Sequence, residues 1–486
     1  MTPLEPSAVL EGRTSNRHSI PLIIGLAVSG FCLLIALVIY MFLGGPLSTV
    51  LGLILALPTT VVMVGLVLLI DRLEPEPLLK LAFVFLWGAG VAILVALVVN
   101  TAGASFFWIP VFGAQQGNYF AAAFGAPLVE ETCKGSVLFL LLWRRRDEID
   151  GPTDGIVYAA MVGLGFALIE NVLYYMKVMP AGPSAVLFTV GLRGVLSPLC
   201  HPLFTSMTGL GIAFAANRRD AIGYLAVAGG WIGAMLLHFT WNFSSGFGFA
   251  GLGVAYLILA CVLGGLIFVL VKDRRRIIGL IQKYLPMYDR LGIVTPSDVT
   301  MLSQLKTRRN ARRWAASQLG RQGSRAMGDY QLAATELAML HSHAETQTVD
   351  PQRFSMRRDA LVGLMRVTHN LFAPRGQQPP PQAPPGYGAP QGQPQGAPQG
   401  QPQGQPYPQG QPQGPPPGQP YPQGPPQGQP PQGPPPGQPP QGPPPGQQPY
   451  PPQQPGYGQP PNQPPPGQPP NQPPYGQPPQ GPPRGW

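Results

Sequence analysis

Ionisable and amide side chains occur inside four consecutive apolar segments of the chain, where a charged group is costly and is functional by default. In chain order they are Glu130, Glu131 and Lys134; Glu170 and Asn171; His201; and His238 and Asn242. A carboxylate in such surroundings can activate water as a general base, and an imidazole with an amide can stabilise an oxyanion. Two imidazoles and a carboxylate can also hold a zinc ion with one open position. Either arrangement suits hydrolysis of a peptide bond.

The same residue types also suit a second class of function. Transporters keep Glu, His and Lys side chains inside the membrane for proton or ion relays. A polytopic transporter or an ion relay is therefore the alternative interpretation of these four segments.

The spacing of these residues puts several of them on common helix faces. The pairs four residues apart are Glu130 and Lys134, Phe166 and Glu170, and His238 and Asn242. Residues at this separation share one face of an α-helix. Glu130 and Glu131 are adjacent, so they point about 100° apart and are predicted to have different roles.

The elements that must position these groups are long apolar runs. A bilayer crossing needs about 20 apolar residues. Eight runs are long enough, at about 20–43, 47–70, 81–103, 120–143, 155–179, 185–216, 221–243 and 249–272. The sequence therefore predicts an all-α polytopic membrane protein with about eight transmembrane helices. The sixth run is overlong and contains Arg193, Pro198 and Pro202, which predict a tilted, kinked or partly re-entrant course.

The depths of the ionisable residues indicate a single cluster. Counted from the inner end of each span at about 1.5 Å per residue, Glu131 lies about 18 Å up, Glu170 and His201 about 22 Å, and His238 about 25 Å. Spans one, two, three and eight contain no comparable ionisable residue. We therefore expect four neighbouring helices to hold these groups together in the outer half of the bilayer.

The distribution of basic residues predicts the orientation. With the N-terminus in the cytoplasm, the inner loops carry nine cations, namely Arg13, Arg17, Arg72, Lys80, Arg144, Arg145, Arg146, Arg218 and Arg219. The outer loops then carry Lys177 alone. Because short cytoplasmic loops are enriched in Lys and Arg, we expect a multi-pass protein of the plasma membrane with both termini in the cytoplasm.

The C-terminal part has a very different composition. Of the 64 prolines, 47 lie in residues 374–486, a region with no Asp, Glu or Lys. Such a segment cannot build an apolar core, so it is predicted to be a disordered Pro-, Gly- and Gln-rich tail, whose partner the sequence does not indicate. The four cysteines all lie in apolar runs, which excludes a disulfide-based scaffold.

These observations divide the chain into four parts. They are a cytoplasmic N-terminus at 1–19, a membrane domain at 20–272, a basic helical region at 273–373 and the tail at 374–486. Residues 272–373 carry 17 Lys and Arg against eight Asp and Glu. This excess favours contact with anionic lipid headgroups, and we do not expect nucleic acid as a partner because the chain is anchored by many spans.

Helices are predicted within the basic region as a small cytoplasmic appendage. Thr295 or Ser297 can cap a helix that runs to about residue 319 and stops at Gly320. Two more helices are expected at about 325–343 and 351–372.

The ordered motifs resemble those of the PrsW family of intramembrane proteases. They are Glu130-Glu131-x-x-Lys134, Phe166-x-x-x-Glu170-Asn171, His201 and His238-x-x-x-Asn242. The element Asp71-Arg72-Leu73-Glu74-Pro75-Glu76-Pro77, at the inner end of the second span, also resembles a family element. The resemblance extends over about residues 20–272. It places the chain near the wider superfamily of CAAX-processing and bacteriocin-processing membrane proteases.

The resemblance implies a mechanism and a substrate class. It implies that Glu130 activates water with Glu131 as its partner, and that His238 and Asn242 support the oxyanion. It also implies a membrane-anchored protein substrate such as an anti-sigma factor, cut on its outer side. The prenyl-protease branch has His at the position of Glu170, so this chain matches the PrsW branch instead.

The candidate site therefore has two groups of residues. The predicted catalytic residues are Glu130, Glu131, Glu170, His201, His238 and Asn242, and the predicted supporting residues are Lys134, Phe166 and Asn171. The predicted zinc ligands are Glu170, His201 and His238, because they lie at similar depths. In the metal-free alternative, Glu130 polarises water directly.

Overall fold

The computed structural model describes residues 4–372, except for 12, 14–18, 145, 217, 219 and 347. Throughout this described part the chain is helical and has no β-strand. The predicted all-α fold is therefore confirmed. The predicted Pro-rich tail lies outside the described residues, as do Arg17, Arg145 and Arg219 of the charge count.

Long helices make up the membrane domain. After a short N-terminal helix α1 (Pro6–Leu10), the helices are α2 (Ile20–Gly44), α3 (Pro46–Ile70), α4 (Leu78–Phe112), α5 (Ala114–Phe120), α6 (Ala126–Arg144), α7 (Pro152–Val178), α8 (Pro183–Val190), α9 (Cys200–Ala216), α10 (Ala221–Ser244) and α11 (Gly248–Tyr284). Turns of π-helix lie at Trp87–Ala92, Ala104–Trp108, Ala121–Gly125 and Gly191–Leu196. Short 3-10 helices lie at Arg146–Glu148, Met179–Ala181, Ser245–Phe247 and Leu285–Leu291.

Six helical segments of the described chain are long and apolar enough to cross a membrane, compared with about eight predicted spans. Two physical features account for the difference. The predicted seventh and eighth spans fall in one continuous segment, Ala221–Leu291, which contains both α10 and α11. The predicted fourth span, α6, is not among the six segments because Glu130, Glu131 and Lys134 reduce its apolar character.

The central element of the membrane domain is α7. In its most apolar stretch 83% of the residues are buried inside the protein, compared with 11% for α2 and 17% for α3. It packs against α9, α3 and α4. The backbones of α7 and α9 approach each other closely at Gly155 and Gly209, because these residues have no side chain to separate them. The helix that carries Phe166 and Glu170 is thus fixed from several sides.

The overlong sixth span is broken, as its prolines predict. Helix α8 passes into the π-helical turn Gly191–Leu196, the helix is interrupted at residues 197–199, and α9 begins at Cys200. Pro198 lies in the interruption, where it cannot donate a backbone hydrogen bond. The break directs Arg193 and His201 toward the same region of α7.

The basic region forms a helical module with its own core. Helix α11 continues past the predicted end of the last span to Tyr284 and is followed by α12 (Pro296–Leu302), α13 (Leu305–Glu345) and α14 (Pro351–Asn370). Thr295 caps α12 through a capping box with Asp298. Helix α13 is interrupted at Gly320, whose φ of 60° is left-handed. Thr295 and Gly320 therefore lie where the sequence predicts the two ends of a helix, but the chain between them forms two helices because it is interrupted at residues 303–304.

The N-terminal helix packs against this module. Val9 and Leu10 of α1 contact the apolar core formed by α11, α13 and α14. Arg308 of α13 is buried, and its guanidinium donates to the carbonyl oxygen of Leu73 (2.9 Å) and to Thr335 Oγ1 (2.7 Å). The module is therefore attached to the loop that follows α3.

The same loop contains the 71–77 element and has a structural role. Asp71 accepts a hydrogen bond from the backbone N–H of Glu76 (2.7 Å), and burial raises the pKa of Asp71 to about 7. Glu76 accepts from the hydroxyl of Tyr158 on α7 (2.6 Å). Tyr158 and Glu170 are twelve residues apart on α7, or about 18 Å. The element thus fixes the N-terminal end of α7 and lies far from the buried charged cluster.

The contact between α7 and α9 generates the first prediction. A Cβ atom added at Gly209 would lie 2.1 Å from the carbonyl oxygen of Gly155, so Gly209→Ala forces the two backbones apart. We expect it to destabilise the protein by about 1–3 kcal/mol, as overpacking typically does. Gly264→Ala is the matched control because nothing lies within 4 Å of its added Cβ. Thermal unfolding in detergent tests this, and equal stability of the two variants would contradict the close packing.

Candidate active site

Four helices bring the ionisable side chains into one buried cluster. Helix α6 supplies Glu130, Glu131 and Lys134, α9 supplies His201, and α10 supplies His238. These five residues are between 0% and 7% exposed. The fourth helix, α7, adds its side chains from the opposite side of His201. The convergence that the estimated depths predict is present in the structure.

The ammonium group of Lys134 lies at the centre of the cluster. Its Nζ atom is 2.9 Å from Glu131 Oε1, 3.5 Å from Glu130 Oε2 and 3.0 Å from His201 Nδ1. It also lies 3.8 Å from the ring centroid of Phe166, within the range of a cation–π contact. Lys134 therefore does more than neutralise one carboxylate, because it joins α6, α7 and α9.

Glu131 has a partner at both carboxylate oxygens. Its Oε1 lies 3.0 Å from His238 Nδ1 in addition to Lys134 Nζ, and its Oε2 accepts from the hydroxyl of Thr205 (2.9 Å). The side chain is fully buried. A carboxylate with this many short contacts is held in one orientation.

Glu130 is held more loosely than its neighbour. Its Oε1 accepts from Asn100 Nδ2 at 3.3 Å, while its Oε2 is 3.5 Å from Lys134 Nζ and 3.9 Å from His238 Nε2. All three distances exceed those made by Glu131. Glu130 is thus the carboxylate with more capacity to accept a further proton or ligand.

Each histidine presents one ring nitrogen to a carboxylate. His238 Nδ1 faces Glu131, which leaves His238 Nε2 directed toward Glu130. His201 Nε2 lies 2.8 Å from Glu170 Oε2, which leaves Nδ1 beside Lys134. The two rings are perpendicular, with centroids 5.4 Å apart.

Glu170 forms an outer layer of the cluster with Arg193. The guanidinium of Arg193 forms an ion pair with the Glu170 carboxylate, and its Nε donates to Asn171 Oδ1 (2.6 Å). The guanidinium also lies 3.8 Å from the ring centroid of Tyr174. Glu170 contacts the centre of the cluster through His201. It is therefore part of the cluster, as the sequence predicts, but lies at its edge.

The charges of the cluster do not cancel among the named groups. Glu130, Glu131 and Glu170 carry three negative charges if ionised, and Lys134 and Arg193 carry two positive charges. An uncompensated charge in a buried site is strongly unfavourable. One additional positive charge, from a proton on a carboxylate or imidazole or from a metal ion, would balance the cluster.

The structure groups potential metal ligands differently from the sequence prediction. Among the described residues, Glu130, His201 and His238 each offer one ligand atom, and these atoms lie within 4.8 Å of one another. The predicted set used Glu170 in place of Glu130. Glu170 is paired with Arg193 and with one ring nitrogen of His201.

Asn242 shares a helix face with His238, but its hydrogen bond is made to the backbone and not to the ionisable groups. Its amide Nδ2 donates to the carbonyl oxygen of Ala122 (2.8 Å). Asn100 and Thr205, which contact Glu130 and Glu131, are two further residues of the site that the sequence motifs do not contain. Thr205 could have been predicted, because it lies four residues after His201 and so shares a helix face with it. Asn100 is a neutral residue on α4 that belongs to no motif.

The fold and this site define a class, namely multi-pass helical membrane proteins with a buried carboxylate–histidine centre. Residues 76–271 match the profile of the family described as PrsW family intramembrane metalloprotease. The matched residues 76–271 therefore form a PrsW-family domain, which confirms the resemblance seen in the motifs. The match begins at Glu76, so it is shorter at its N-terminal end than the predicted range.

Curated relatives named Protease PrsW match part of the chain. The relative from Geobacillus kaustophilus is 30% identical over 152 residues, which are 31% of this chain and 61% of the relative. The relative from Clostridioides difficile is 30% identical over 162 residues, which are 32% of this chain and 64% of the relative. The relative from Bacillus subtilis is 30% identical over 104 residues, which are 21% of this chain and 44% of the relative. The chain thus spans less than two thirds of each relative, and no solved structure matches it.

The central ammonium group generates the second prediction. Lys134→Met should destabilise the protein by about 3–5 kcal/mol, because it leaves buried carboxylates without their partner. Adding Glu131→Gln should recover part of this loss, with a coupling energy of about 0.5–3 kcal/mol. Equilibrium unfolding in mixed micelles measures both values.

The exposed Lys177 provides the control, and Lys177→Met should have little effect on stability. The central role of Lys134 would be contradicted if Lys134→Met had the same effect in the parent chain and in the Glu131→Gln background.

Proposed function

We propose that the membrane domain is an intramembrane endopeptidase that hydrolyses a peptide bond of a membrane-anchored protein. The observation that carries this proposal is the loosely held Glu130 next to the rigid set of Glu131, Lys134 and His238 in one buried cluster. The relatives' name, Protease PrsW, supports the same activity.

In the metal-free form of the proposed mechanism Glu130 is the general base. It accepts a proton from water, which attacks the carbonyl carbon of the scissile bond. Glu131 keeps Lys134 and His238 in position through its short contacts. The Nε2–H group of His238 donates to the oxyanion, and the protonated Glu130 then gives its proton to the nitrogen of the scissile bond, which leaves as an amine when the C–N bond breaks. Asn242 stays a predicted support for the oxyanion, because its hydrogen bond to the Ala122 carbonyl uses only one of the two N–H groups of its amide.

The residues present fit a zinc ion. Both histidines contact a carboxylate through one ring nitrogen, which is how metal-binding histidines are usually oriented. We propose Glu130, His201 and His238 as the protein ligands. In this alternative form a bound zinc ion would supply Lewis acidity to the hydrolysis, and Glu130 and His238 would be its ligands instead of the base and the oxyanion donor. Lys134 Nζ lies 3.0 Å from His201 Nδ1, so binding at this nitrogen requires Lys134 to shift.

We propose that the substrate is a membrane-anchored protein of the anti-sigma-factor type, as the family resemblance implies. Comparative membrane proteomics of a strain that lacks this chain can identify it as a single-span protein that is no longer trimmed. The absence of any such protein would contradict the substrate class.

We further propose that both termini are cytoplasmic and that the basic module contacts anionic lipid. Helix α1 packs against the module, which supports the proposal that the N-terminus and the module lie on the same side of the membrane. A cavity of about 990 Å³ between the inner ends of α6 and α9 and the module is lined by Arg144, Arg146 and Arg353 and by the largely exposed Trp143. Arginine suits phosphate groups, and Trp is typical of the bilayer interface.

A relay of protons is a second candidate function. An unbroken series of contacts connects the titratable groups of Glu170, His201, Lys134 and Glu131. Such a network is also suited to proton transfer. Proton flux into vesicles without cleavage of any protein would favour this candidate.

The third prediction tests the general base. Glu130→Gln should lower cleavage by about 10²- to 10⁴-fold, because an amide cannot accept the proton from water. Glu131→Gln should also abolish most activity by releasing Lys134 and His238. The measurement is turnover of a single-span substrate that the parent chain cuts, in detergent or vesicles.

The matched control is Glu345→Gln, which makes the same change at an exposed carboxylate of the module. Glu345→Gln should leave turnover unchanged. Full activity of both Glu130→Gln and Glu131→Gln, with normal insertion, would overturn the assignment.

The fourth prediction concerns bound metal. Glu130→Gln and His238→Ala should reduce the zinc content of the purified protein, whereas Glu170→Gln should retain most of it, because Glu170 lies outside the ligand group. Elemental analysis measures the zinc content independently of activity. Loss of zinc in Glu170→Gln but not in Glu130→Gln would instead support the ligand set predicted from the sequence.

The fifth prediction tests the orientation of the chain. Single cysteines introduced at the exposed positions Ser7 and Ser317 should not react with an impermeant thiol reagent on intact cells, but should react after lysis. Ser184→Cys, at the exposed start of α8, should react in both cases. Labelling of Ser7→Cys or Ser317→Cys on intact cells would overturn the cytoplasmic assignment.

A further inference from the structure

Asn100 on α4 contacts Glu130 from outside the four helices that form the cluster. Its amide Nδ2 donates to Glu130 Oε1 at 3.3 Å. Only the nitrogen of an amide can donate to a carboxylate, so the amide oxygen Oδ1 is left for another partner. This oxygen is buried and has no hydrogen-bond partner in the part of the chain that the structure describes. The Asn100 amide is therefore satisfied at its nitrogen and unsatisfied at its oxygen.

The unpartnered amide oxygen needs a donor from elsewhere. It carries no proton of its own, unlike the hydroxyl groups that make up the other partnerless side-chain oxygens among the described residues. A buried acceptor without a donor destabilises the folded protein, and such groups are rare in native structures. The oxygen beside the proposed general base therefore points to a ligand that donates a hydrogen bond.

Asn100 lies at the edge of the cluster. It is half-buried, whereas Glu131 and Lys134 are completely buried. Val98 and Val99, which precede it on α4, are 59% and 44% exposed. Exposed valines on a membrane-spanning helix face lipid, since lipid tails are as apolar as they are. Asn100 thus lies between the charged cluster and a side of α4 from which a membrane-embedded ligand can approach.

The donor that the proposed reaction brings to this place is a backbone N–H group of the substrate. A helix that spans the membrane pairs its N–H groups internally, and a segment that unwinds to be cut leaves some of them unpaired. An unpaired N–H group is costly in hydrocarbon. The oxygen of Asn100 can accept from one of them, so that both unsatisfied groups gain a partner in the same contact.

The distances fit a donor close to the scissile bond. The oxygen and nitrogen of one amide are about 2.3 Å apart, and Nδ2 is 3.3 Å from Glu130 Oε1, so Oδ1 lies within about 5.6 Å of the base. An extended chain advances about 3.3–3.6 Å per residue. A peptide whose carbonyl is attacked by water on Glu130 therefore brings the N–H groups of the next one or two residues within reach of Asn100.

We propose that Asn100 binds the substrate, holding Glu130 through Nδ2 and accepting, through Oδ1, a backbone N–H within two residues of the scissile bond. This proposal rests on the proposed protease function. One amide then positions both the base and the peptide, which brings the reacting groups into the geometry that hydrolysis needs.

Backbone esters test the contact. A single-span peptide that the parent chain cuts is synthesised with one amide replaced by an ester, at each of the two peptide bonds on either side of the scissile bond in turn. An ester keeps the length of the chain but has no N–H group, and the scissile bond itself remains an amide. Each peptide is assayed in vesicles with the full-length parent, with Asn100→Leu and with the control Asn118→Leu, which makes the same change at an exposed amide of α5.

The expected result is a coupling between one ester and one side chain. At one position the ester should lower kcat/KM about tenfold with the parent and with Asn118→Leu, as expected when an acceptor loses its donor. With Asn100→Leu the same ester should change kcat/KM less than twofold, because the acceptor is already absent. The comparison isolates Oδ1, since the loss of Nδ2 lowers cleavage of the amide and ester peptides equally. Asn100→Ala is used in the same way if Asn100→Leu does not fold.

Different outcomes overturn different claims. If the parent cuts the peptide but every ester acts equally on the parent and on Asn100→Leu, the role of Asn100 is refuted and the protease function stands. If the parent cuts no protein, the protease function fails, and the contact is tested by binding of a single-span peptide with esters placed one at a time along its span. One ester should then weaken binding to the parent about tenfold and leave binding to Asn100→Leu unchanged. Equal binding of all peptides by the parent, or no binding, would refute the contact as well.

Discussion

The contact on which the site depends is the one between the Lys134 ammonium and the carboxylates of Glu130 and Glu131. Without this cation, α6 would place two negative charges in a region where neither is solvated. Lys134 also reaches His201 on α9 and Phe166 on α7, so one side chain connects three helices. The contacts that stabilise the buried charges also hold Glu131 in one orientation and leave Glu130 more loosely held.

The rest of the membrane domain supports this arrangement through packing. Helix α7 is buried on most sides and approaches α9 closely at Gly155 and Gly209, which fixes the distance between Glu170 and His201. The break at Pro198 allows one membrane segment to present both Arg193 and His201. The 71–77 loop holds the N-terminal end of α7 in place, and the basic module holds the C-terminal end of α11. The packing of the apolar helices thus determines where the charged cluster lies.

Much of this arrangement could be predicted from the sequence, for physical reasons. Ionisable residues in apolar runs are costly, so Glu130, Glu131, Glu170, His201 and His238 were recognisable, and a fixed rise per residue predicted their common depth. Pro198 predicted the break in the sixth span, and the motifs predicted the family. The number of long apolar segments was less predictable, since charged residues make α6 unlike an ordinary span.

The contacts within the cluster could not be predicted in the same way. They depend on the rotation of each helix about its axis, which residue spacing restricts only within one helix. This is why Asn242, although on the same face as His238, bonds to Ala122, and why the group of potential metal ligands contains Glu130 in place of Glu170. A neutral partner such as Asn100 has no signature until neighbouring helices are known.

The central claim, that this buried cluster hydrolyses a peptide bond inside the membrane, is tested most directly with isotopically labelled water. Purified full-length chain and a single-span substrate would be placed in the same vesicles in water enriched in oxygen-18, and the products sequenced by mass spectrometry. We predict chain-dependent cleavage within the membrane-spanning segment, with one oxygen-18 atom in the new C-terminal carboxyl group. Intact substrate together with chain-dependent proton flux across the vesicle membrane would contradict the account.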